Sequence, residues 1–206
     1  MAQALLTKPT KRKRLITYEE FLEWDGDNQH VEWVEGEVIP LSPVSYMHTN
    51  IVSFLNAAIR TYVDAHQCGV VLLEPFNMKT GPDLPGRAPD IIFVDNSHMD
   101  RLERNHLRGP ADLVIEVVSP DNPRRDRVEK LAEYEAGGVR EYWLIDPQVN
   151  EALFYTLGPN GRYSAAELDG SVYHCKVIAG LWINRDWFFK TPLPSTLDVI
   201  KWWGLV

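Results

Sequence analysis

Cysteine is scarce in this chain, with two among 206 residues. Cys68 and Cys175 are too few for a framework of disulfides, and neither has a metal-ligand neighbour at a familiar spacing. Long apolar runs are also missing, since no run approaches the roughly 20 residues that a membrane-spanning helix needs. The first residues contain no apolar signal core. We therefore predict a cytoplasmic protein with reduced, structural cysteines and no membrane partner.

An excess of positive charge is absent too. The formal net charge is -8, which argues against a surface that binds nucleic acid everywhere. The cations are nevertheless clustered. Residues 1–14 are predicted to be a disordered basic tail, which is either a solvated arm or an arm that contacts phosphate. Two further basic groups follow it along the chain: Arg101, Arg104 and Arg108, then Arg124, Arg125 and Arg127.

The composition is that of an ordinary globular protein, 45% hydrophobic and 24% charged. Patterns of apolar residues predict, in order, a helix at 17–24, a hairpin at 30–41, a helix at 48–66, strands at 70–78, 90–95 and 112–118, a helix at 124–136, a strand at 141–146 and antiparallel strands beyond. Residues 79–90 are predicted to be a loop. We expect residues 15–206 to form a single α/β (α+β) domain, with a mixed β-sheet core flanked by helices and additional antiparallel strands toward the C-terminus.

Two carboxylates stand out because they lie on buried strands. Glu116 interrupts the apolar segment DLVIEVVSPD, and Asp90 begins DIIFVD. If the two strands pair, the carboxylates lie side by side, and their repulsion requires a proton or a cation between them. A hard divalent ion such as Mg²⁺ is the usual solution. Taken singly, Glu116 also fits a buried ion pair, and Asp90 fits a turn residue that bonds its own backbone.

The helix after the Glu116 strand carries a third candidate. Asp126, Lys130 and Tyr134 are spaced by four residues and share one face. Because the connection to the strand is short, we expect the helix to pack back over the sheet and Lys130 to reach the carboxylate pair. Its ammonium would orient or help deprotonate a water molecule and stabilise developing negative charge. Three apolar residues are expected to point toward the core: Val128, Leu131 and Ala132.

These segments resemble a known family. The strings APDIIFV, GPADLVIEVVSPDN and RVEKLAEYEAGGVREYWLIDP, with VEWVEGEVIPLSPVSYMH upstream, are similar to the Uma-type family of restriction endonuclease-like proteins, in the PD-(D/E)XK nuclease superfamily. The resemblance runs from about residue 17 to 157. It implies a restriction endonuclease-like fold that hydrolyses phosphodiester bonds, in DNA as the expected substrate, by attack of a water bound to Mg²⁺ (or Mn²⁺). It also implies that the protein works as a homodimer.

The resemblance assigns roles to particular residues. Asp90, Glu116 and the main-chain carbonyl of Val117 would bind the metal, and Glu32 resembles a further acidic residue that completes such sites. The superfamily lysine normally stands two residues after the acidic residue, where this chain has Val118. Lys130 is the match for the displaced lysine. Two residues are candidates for supporting positions beside the site: His48 and Tyr134.

Three functional interpretations remain open from the sequence. The first is a metal-dependent nuclease whose phosphate contacts come from the arginine groups named above. The second is an inactive or weakly active nuclease fold that serves as a nucleic-acid-binding or protein-interaction module, which Val118 and the net negative charge favour. The third is a metal-independent hydrolase with two carboxylates as acid and base. The direction of the Lys130 side chain discriminates between the first two. Trp202 and Trp203 are interpreted as a dimer contact.

Overall fold

The structure is a computed structural model, which describes residues 15–26, 30–120 and 124–206. The predicted basic tail at 1–14 lies outside these ranges. In the described part of the chain, no helix is both long enough and apolar enough to pass through a bilayer. The α-helices of this part are α1 (Tyr18–Leu22), α2 (Tyr46–His66), α3 (Leu131–Gly137) and α4 (Thr196–Trp202). A π-helical turn, Arg125–Lys130, leads directly into α3, and two 3₁₀ helices span Asn96–Arg101 and Arg185–Phe189.

The strands form three sheets. In chain order they are β1 (Val31–Val34), β2 (Glu37–Pro40), β3 (Gly69–Leu73), β4 (Asn77–Lys79), β5 (Gly86–Arg87), β6 (Ile91–Asp95), β7 (His106–Arg108), β8 (Leu113–Val117), β9 (Glu141–Asp146), β10 (Glu151–Leu157), β11 (Tyr163–Ala165), β12 (Val172–His174) and β13 (Trp182–Asn184). The large sheet has the order β11-β10-β9-β8-β6-β3, and the small sheet has the order β2-β1-β5-β4-β7. Strands β12 and β13 pair with each other. The β8–β9 pair is parallel and its neighbours are antiparallel, so the predicted mixed sheet is confirmed.

The long helix and the hairpin form where the sequence predicts them. Ser45 caps α2 by accepting a hydrogen bond from the backbone N–H of His48. The buried stripe of the helix packs into the apolar core on one face of the large sheet. In the hairpin β1–β2, Glu35 and Gly36 have φ values of 49° and 87°. This left-handed pair is the tight turn that joins antiparallel strands, and glycine adopts it at low cost.

The segment at 70–78 is two strands rather than the predicted one. Strand β3 ends at Leu73 in the large sheet, and β4 begins at Asn77 in the small sheet. Pro75 lies between them and has no N–H with which to continue a ladder. The predicted loop at 79–90 likewise contains the short strand β5. As a result, the small sheet lies at the end of the large one where Asp90 precedes β6.

The register of β6 and β8 places the two carboxylates opposite each other. The strands are antiparallel, with Ile91 opposite Ile115 and Ile92 opposite Val114. Continuing this register by one residue puts Asp90 opposite Glu116. Side chains alternate between the faces of a sheet, so Glu116 shares a face with Val114. That face is covered by the cluster that includes Tyr134 of α3.

A buried carboxylate at the start of β9 ties the C-terminal strands to the large sheet. Glu141 is fully buried. It accepts hydrogen bonds from Trp143 Nε1 at 2.6 Å and from the Tyr173 hydroxyl at 2.7 Å. It also accepts the backbone N–H groups of Lys176 at 2.8 Å and Val177 at 3.1 Å. Three of these donors lie on or just after β12 and therefore depend on one side chain of β9.

Replacing Glu141 with alanine is expected to lower the free energy of unfolding by about 3 kcal/mol, because the change leaves several buried hydrogen-bond donors without an acceptor. Urea unfolding followed by circular dichroism measures the loss. The matched control is Glu167→Ala at an exposed position, which should change stability by no more than about 0.5 kcal/mol. A loss at Glu141 as small as that of the control would show that this cluster does not hold the C-terminal strands.

Candidate active site

Three elements bring the predicted residues to one cleft. Asp90 immediately precedes β6, Glu116 lies in β8, and Lys130 ends the π-helical turn. The cleft has a volume of about 60 Å³, which is room for a few water molecules or a small hydrated ion. Its wall also includes Leu41, Ser42, Val44, Glu74, Ala88 and Ser119.

Lys130 points into the cleft and not to solvent. Its Nζ atom lies 2.8 Å from Glu116 Oε1, 3.4 Å from Asp126 Oδ1 and 3.5 Å from Glu32 Oε1. An ammonium has three N–H groups, so each can face one carboxylate. Burial alone would lower the pKa of Lys130, but the charges of Glu116, Glu32 and Asp126 outweigh it and raise the pKa above its usual value. The surrounding carboxylates therefore favour the charged form of this side chain.

Glu116 shares one oxygen between two donors. Lys130 and the hydroxyl of Tyr134, at 2.6 Å, both bind Oε1. These contacts leave Oε2 available to a ligand. Burial raises the pKa of Glu116 against the opposing charge of Lys130, and the charges of Asp90 and Asp126 raise it further. A cation bound at Oε2 would reverse this effect and favour the carboxylate.

Asp90 is also held through one oxygen. The backbone N–H of Val117 donates to Oδ2 at 2.7 Å, and His48 Nε2 lies 3.1 Å from the same atom. His48 is buried beside Asp90, and Ser45 is the residue that caps α2. Burial alone would lower the pKa of His48, but the hydrogen bond and charge of Asp90 outweigh it and raise the pKa. These contacts orient Asp90 and leave Oδ1 for a ligand.

The cleft and its immediate wall carry an excess of negative charge. Six carboxylates meet three cations there, and each cation contacts at least one of these acids. The acids are Glu32, Glu74, Asp90, Glu116, Asp126 and Glu133; the cations are Arg87, Arg125 and Lys130. With His48 neutral, the formal imbalance is three negative charges. A divalent cation would offset most of this charge.

The cleft offers few protein ligand atoms for a metal ion, and this small number suits Mg²⁺. Across residues 15–26, 30–120 and 124–206, no three His, Cys, Asp or Glu side chains are grouped so as to hold a metal ion. The available protein donors are Asp90 Oδ1 and Glu116 Oε2, with the carbonyl of Val117 beside them. Mg²⁺ is commonly held by one or two carboxylates while it keeps several waters and substrate phosphate oxygens. The donor set suits that ion better than one that needs a complete protein cage.

Arg87, which the structure places at the back of the cleft, was not among the site residues predicted from the sequence. The guanidinium is buried, and its Nη1 donates to Glu32 Oε2 at 2.9 Å. Its Nε and Nη2 donate to the two oxygens of Glu133 at 2.8 and 2.7 Å. The only sequence signal was a cation three residues before Asp90. Because that segment was predicted to be a loop, nothing indicated that Arg87 is buried.

The second group of arginines lies only partly at the cleft, because Arg127 instead pairs with Asp146 at 2.7 Å and with Glu151 at 2.6 Å. Arg125 lines the cleft, with its Nε 3.6 Å from Asp126 Oδ1. Arg124 precedes it and is exposed. Arg125 is therefore part of the cleft wall and Arg124 is its neighbour in the chain, and their contact with nucleic acid stays a prediction.

The first group lies elsewhere. Arg101 follows β6 at the end opposite to Asp90 and donates to the carbonyl of Pro110 at 2.7 Å. Arg104 is exposed, and Arg108 is on β7 at the edge of the small sheet. The structure does not place any of these three arginines in the cleft wall.

Part of the predicted helix packing is wrong. Val128 and Ala132 were expected to face the core, but both are exposed, whereas Leu131 is half-buried. Residues two apart lie on nearly opposite faces of a helix. Because Asp126 and Lys130 face the cleft, Val128 and Ala132 point to solvent.

Comparison with known proteins identifies a family and a similar fold. Residues 18–186 match the family model Uma2, described as "Putative restriction endonuclease". The structure is similar to a crystal structure of "a putative nuclease belonging to DUF820" from Anabaena variabilis ATCC 29413. The TM-score is 0.68 and the sequence identity 23%, over 84% of this chain and 97% of that chain. No curated protein matches the chain. The predicted restriction endonuclease-like fold is confirmed.

Proposed function

Because the chain belongs to the Uma2 family, we propose that it is a nuclease that hydrolyses phosphodiester bonds with the help of a divalent cation. One observation carries this proposal. The Lys130 ammonium is buried against Glu116, and the register of the strands sets Glu116 opposite Asp90. A lysine directed to solvent would have favoured a binding module without catalysis. The proposed substrate is DNA.

The proposed cofactor is Mg²⁺, with Mn²⁺ as a substitute. Asp90 Oδ1, Glu116 Oε2 and the carbonyl of Val117 would hold it. When bound, such an ion supplies Lewis acidity toward a phosphate oxygen and lowers the pKa of a coordinated water. The buried hydrogen bonds to Asp90 and Glu116 keep both carboxylates in place for this task, as supporting contacts commonly do around metal ligands.

The residues of the chain have separate roles in the proposed reaction. Lys130 holds a permanent positive charge beside the site and stabilises the negative charge that develops on the phosphate. Arg125, at the cleft wall, neutralises a neighbouring phosphate. Val118 occupies the usual strand position of the superfamily lysine, but it is packed in the apolar cluster next to Tyr134. Lys130 reaches the same carboxylate from the helix side.

For the cleavage of both strands of a duplex, we propose that the protein works as a homodimer. Trp202 exposes 53% of its surface and stacks on Trp187, with 5.5 Å between the ring centroids. Trp203 is half-buried, and its Nε1 donates to the carbonyl of Trp182. Trp202 is therefore the better candidate for a contact between subunits.

Incubation of the purified protein with supercoiled plasmid and Mg²⁺ or Mn²⁺ is expected to give nicked and linear DNA. Excess EDTA should abolish the reaction, and returning the metal should restore it. Gel electrophoresis resolves the products. Asp90→Asn protein, purified in parallel, controls for contaminating nucleases, since its activity should be at least about 100-fold lower. Equal activity in both preparations, or no cleavage with either metal, would contradict the proposal.

A further inference from the structure

Both oxygens of Glu32 already have donors within the protein. Its side chain is fully buried at the junction of the small sheet and the π-helical turn. Oε2 accepts a hydrogen bond from Arg87 at 2.9 Å. Oε1 accepts the backbone N–H of Ala88 at 3.3 Å and lies 3.5 Å from Lys130 Nζ. Each oxygen therefore already faces at least one donor.

The charges around Glu32 hold it as a carboxylate without a metal. Burial alone would raise the pKa of Glu32, but the charges of Lys130, Arg87 and Arg125 outweigh it and keep the pKa below its usual value. A carboxylate that already has cationic partners gains less from an added metal ion than one that faces other acids, such as Glu116. The two acids thus have different surroundings within the same cleft.

Arg87 anchors this carboxylate to α3. Its fork binds both oxygens of Glu133, and its remaining Nη1 binds Glu32. Glu133 and Lys130 lie on consecutive turns of the same helical segment. The contacts from Glu133 through Arg87 and Glu32 to Lys130 therefore form a ring, which the helical segment carrying Lys130 and Glu133 closes. Such a closed, buried set of charge-assisted hydrogen bonds restricts the position of each member.

We infer that Glu32 is a positioning residue for Lys130 and does not ligate the metal. A lysine on the strand would be placed by the strand itself. A lysine on a helix needs another support, and Glu32 with Arg87 and Glu133 provides it. This inference rests on the proposed function, because the position of Lys130 matters only if its charge serves the reaction.

The test compares Glu32→Gln with Asp90→Asn. An amide offers one acceptor oxygen where the carboxylate has two, so either Arg87 or Lys130 then faces an N–H group. We expect Glu32→Gln to lower kcat at saturating metal by at least about tenfold. The dissociation constant for Mn²⁺, from isothermal titration calorimetry, should stay within about threefold of the parent. For Asp90→Asn it should rise by more than about tenfold. A rise of that size for Glu32→Gln, or an unchanged kcat, overturns the inference.

A second measurement does not depend on cleavage. In ¹⁵N-lysine NMR spectra, an ammonium held by three carboxylates should give a sharp Nζ signal, which Lys130→Met identifies by its disappearance. We expect Glu32→Gln to shift or broaden this signal, and an unaltered signal overturns the inference. Should Glu32→Gln fail to fold, Glu133→Gln replaces it, since the Glu133 side chain is 20% exposed. It should weaken the Arg87 anchor and change kcat and the NMR signal in the same direction. If the parent cleaves nothing, the proposed function fails, but the calorimetry and the NMR signal still decide the role of Glu32.

Discussion

Replacing Lys130 with methionine is expected to lower the rate of metal-dependent cleavage by about 100- to 1,000-fold, the usual effect of removing one group that stabilises transition-state charge. Methionine keeps most of the length of the side chain and removes the charge. The ammonium is 2.8 Å from Glu116 Oε1, so its loss leaves the cleft more negative. We therefore expect metal affinity to stay the same or increase while kcat falls.

The opposite changes in metal affinity and rate distinguish a catalytic role of Lys130 from a structural one. Rates at saturating Mn²⁺ and calorimetric titration of the metal provide the two values. Removing one partner from a buried ion pair also costs stability, about 3–5 kcal/mol, so urea unfolding must show that the variant is folded at the assay temperature. Lys201→Met, at an exposed position on α4, is the matched control and should cleave at the parental rate. A Lys130→Met protein that is folded and fully active would refute the assigned role.

The sequence was sufficient to predict the features that depend on local patterns. The apolar stripe of α2 and the alternation around Glu35 and Gly36 predicted a helix and a hairpin, and both are confirmed. Two short apolar segments predicted the strands at Asp90 and Glu116, and the pairing of these strands, which the sequence left as a condition, is observed. The spacing of four residues placed Lys130 and Asp126 on one face, where they lie 3.4 Å apart.

Features that depend on tertiary packing were not predictable in this way. No residue pattern in the segment indicates the π-helical turn or which face of this segment packs inward, so the exposure of Val128 was not predicted. Arg87 acquires its role only because the small sheet places β5 against α3. From the sequence it is one cation in a segment rich in proline and glycine. Ion pairs between distant segments need the fold before they can be recognised.

Replacing Asp90 with asparagine is expected to lower metal-dependent cleavage by at least about 100-fold without a loss of stability in the absence of metal. The asparagine carbonyl can still accept the N–H of Val117, which donates to Asp90 at 2.7 Å. The variant loses one negative charge from a cleft in which carboxylates outnumber cations. Since like charges close together repel at low dielectric, its melting temperature in EDTA should equal or exceed that of the parent.

Metal binding should reverse this order of stability. A ligand that binds only the native state stabilises it by RT ln(1 + [L]/Kd), about 2.7 kcal/mol at 100 times Kd. The parent should therefore gain several degrees in melting temperature with excess Mn²⁺, while Asp90→Asn should gain little. The control Asp169→Asn, at an exposed position, should respond to Mn²⁺ as the parent does. If Mn²⁺ raised the melting temperature of Asp90→Asn as much as that of the parent, the metal would bind elsewhere. A large loss of stability in EDTA would make Asp90 a structural residue, whose charge the fold needs without the ion.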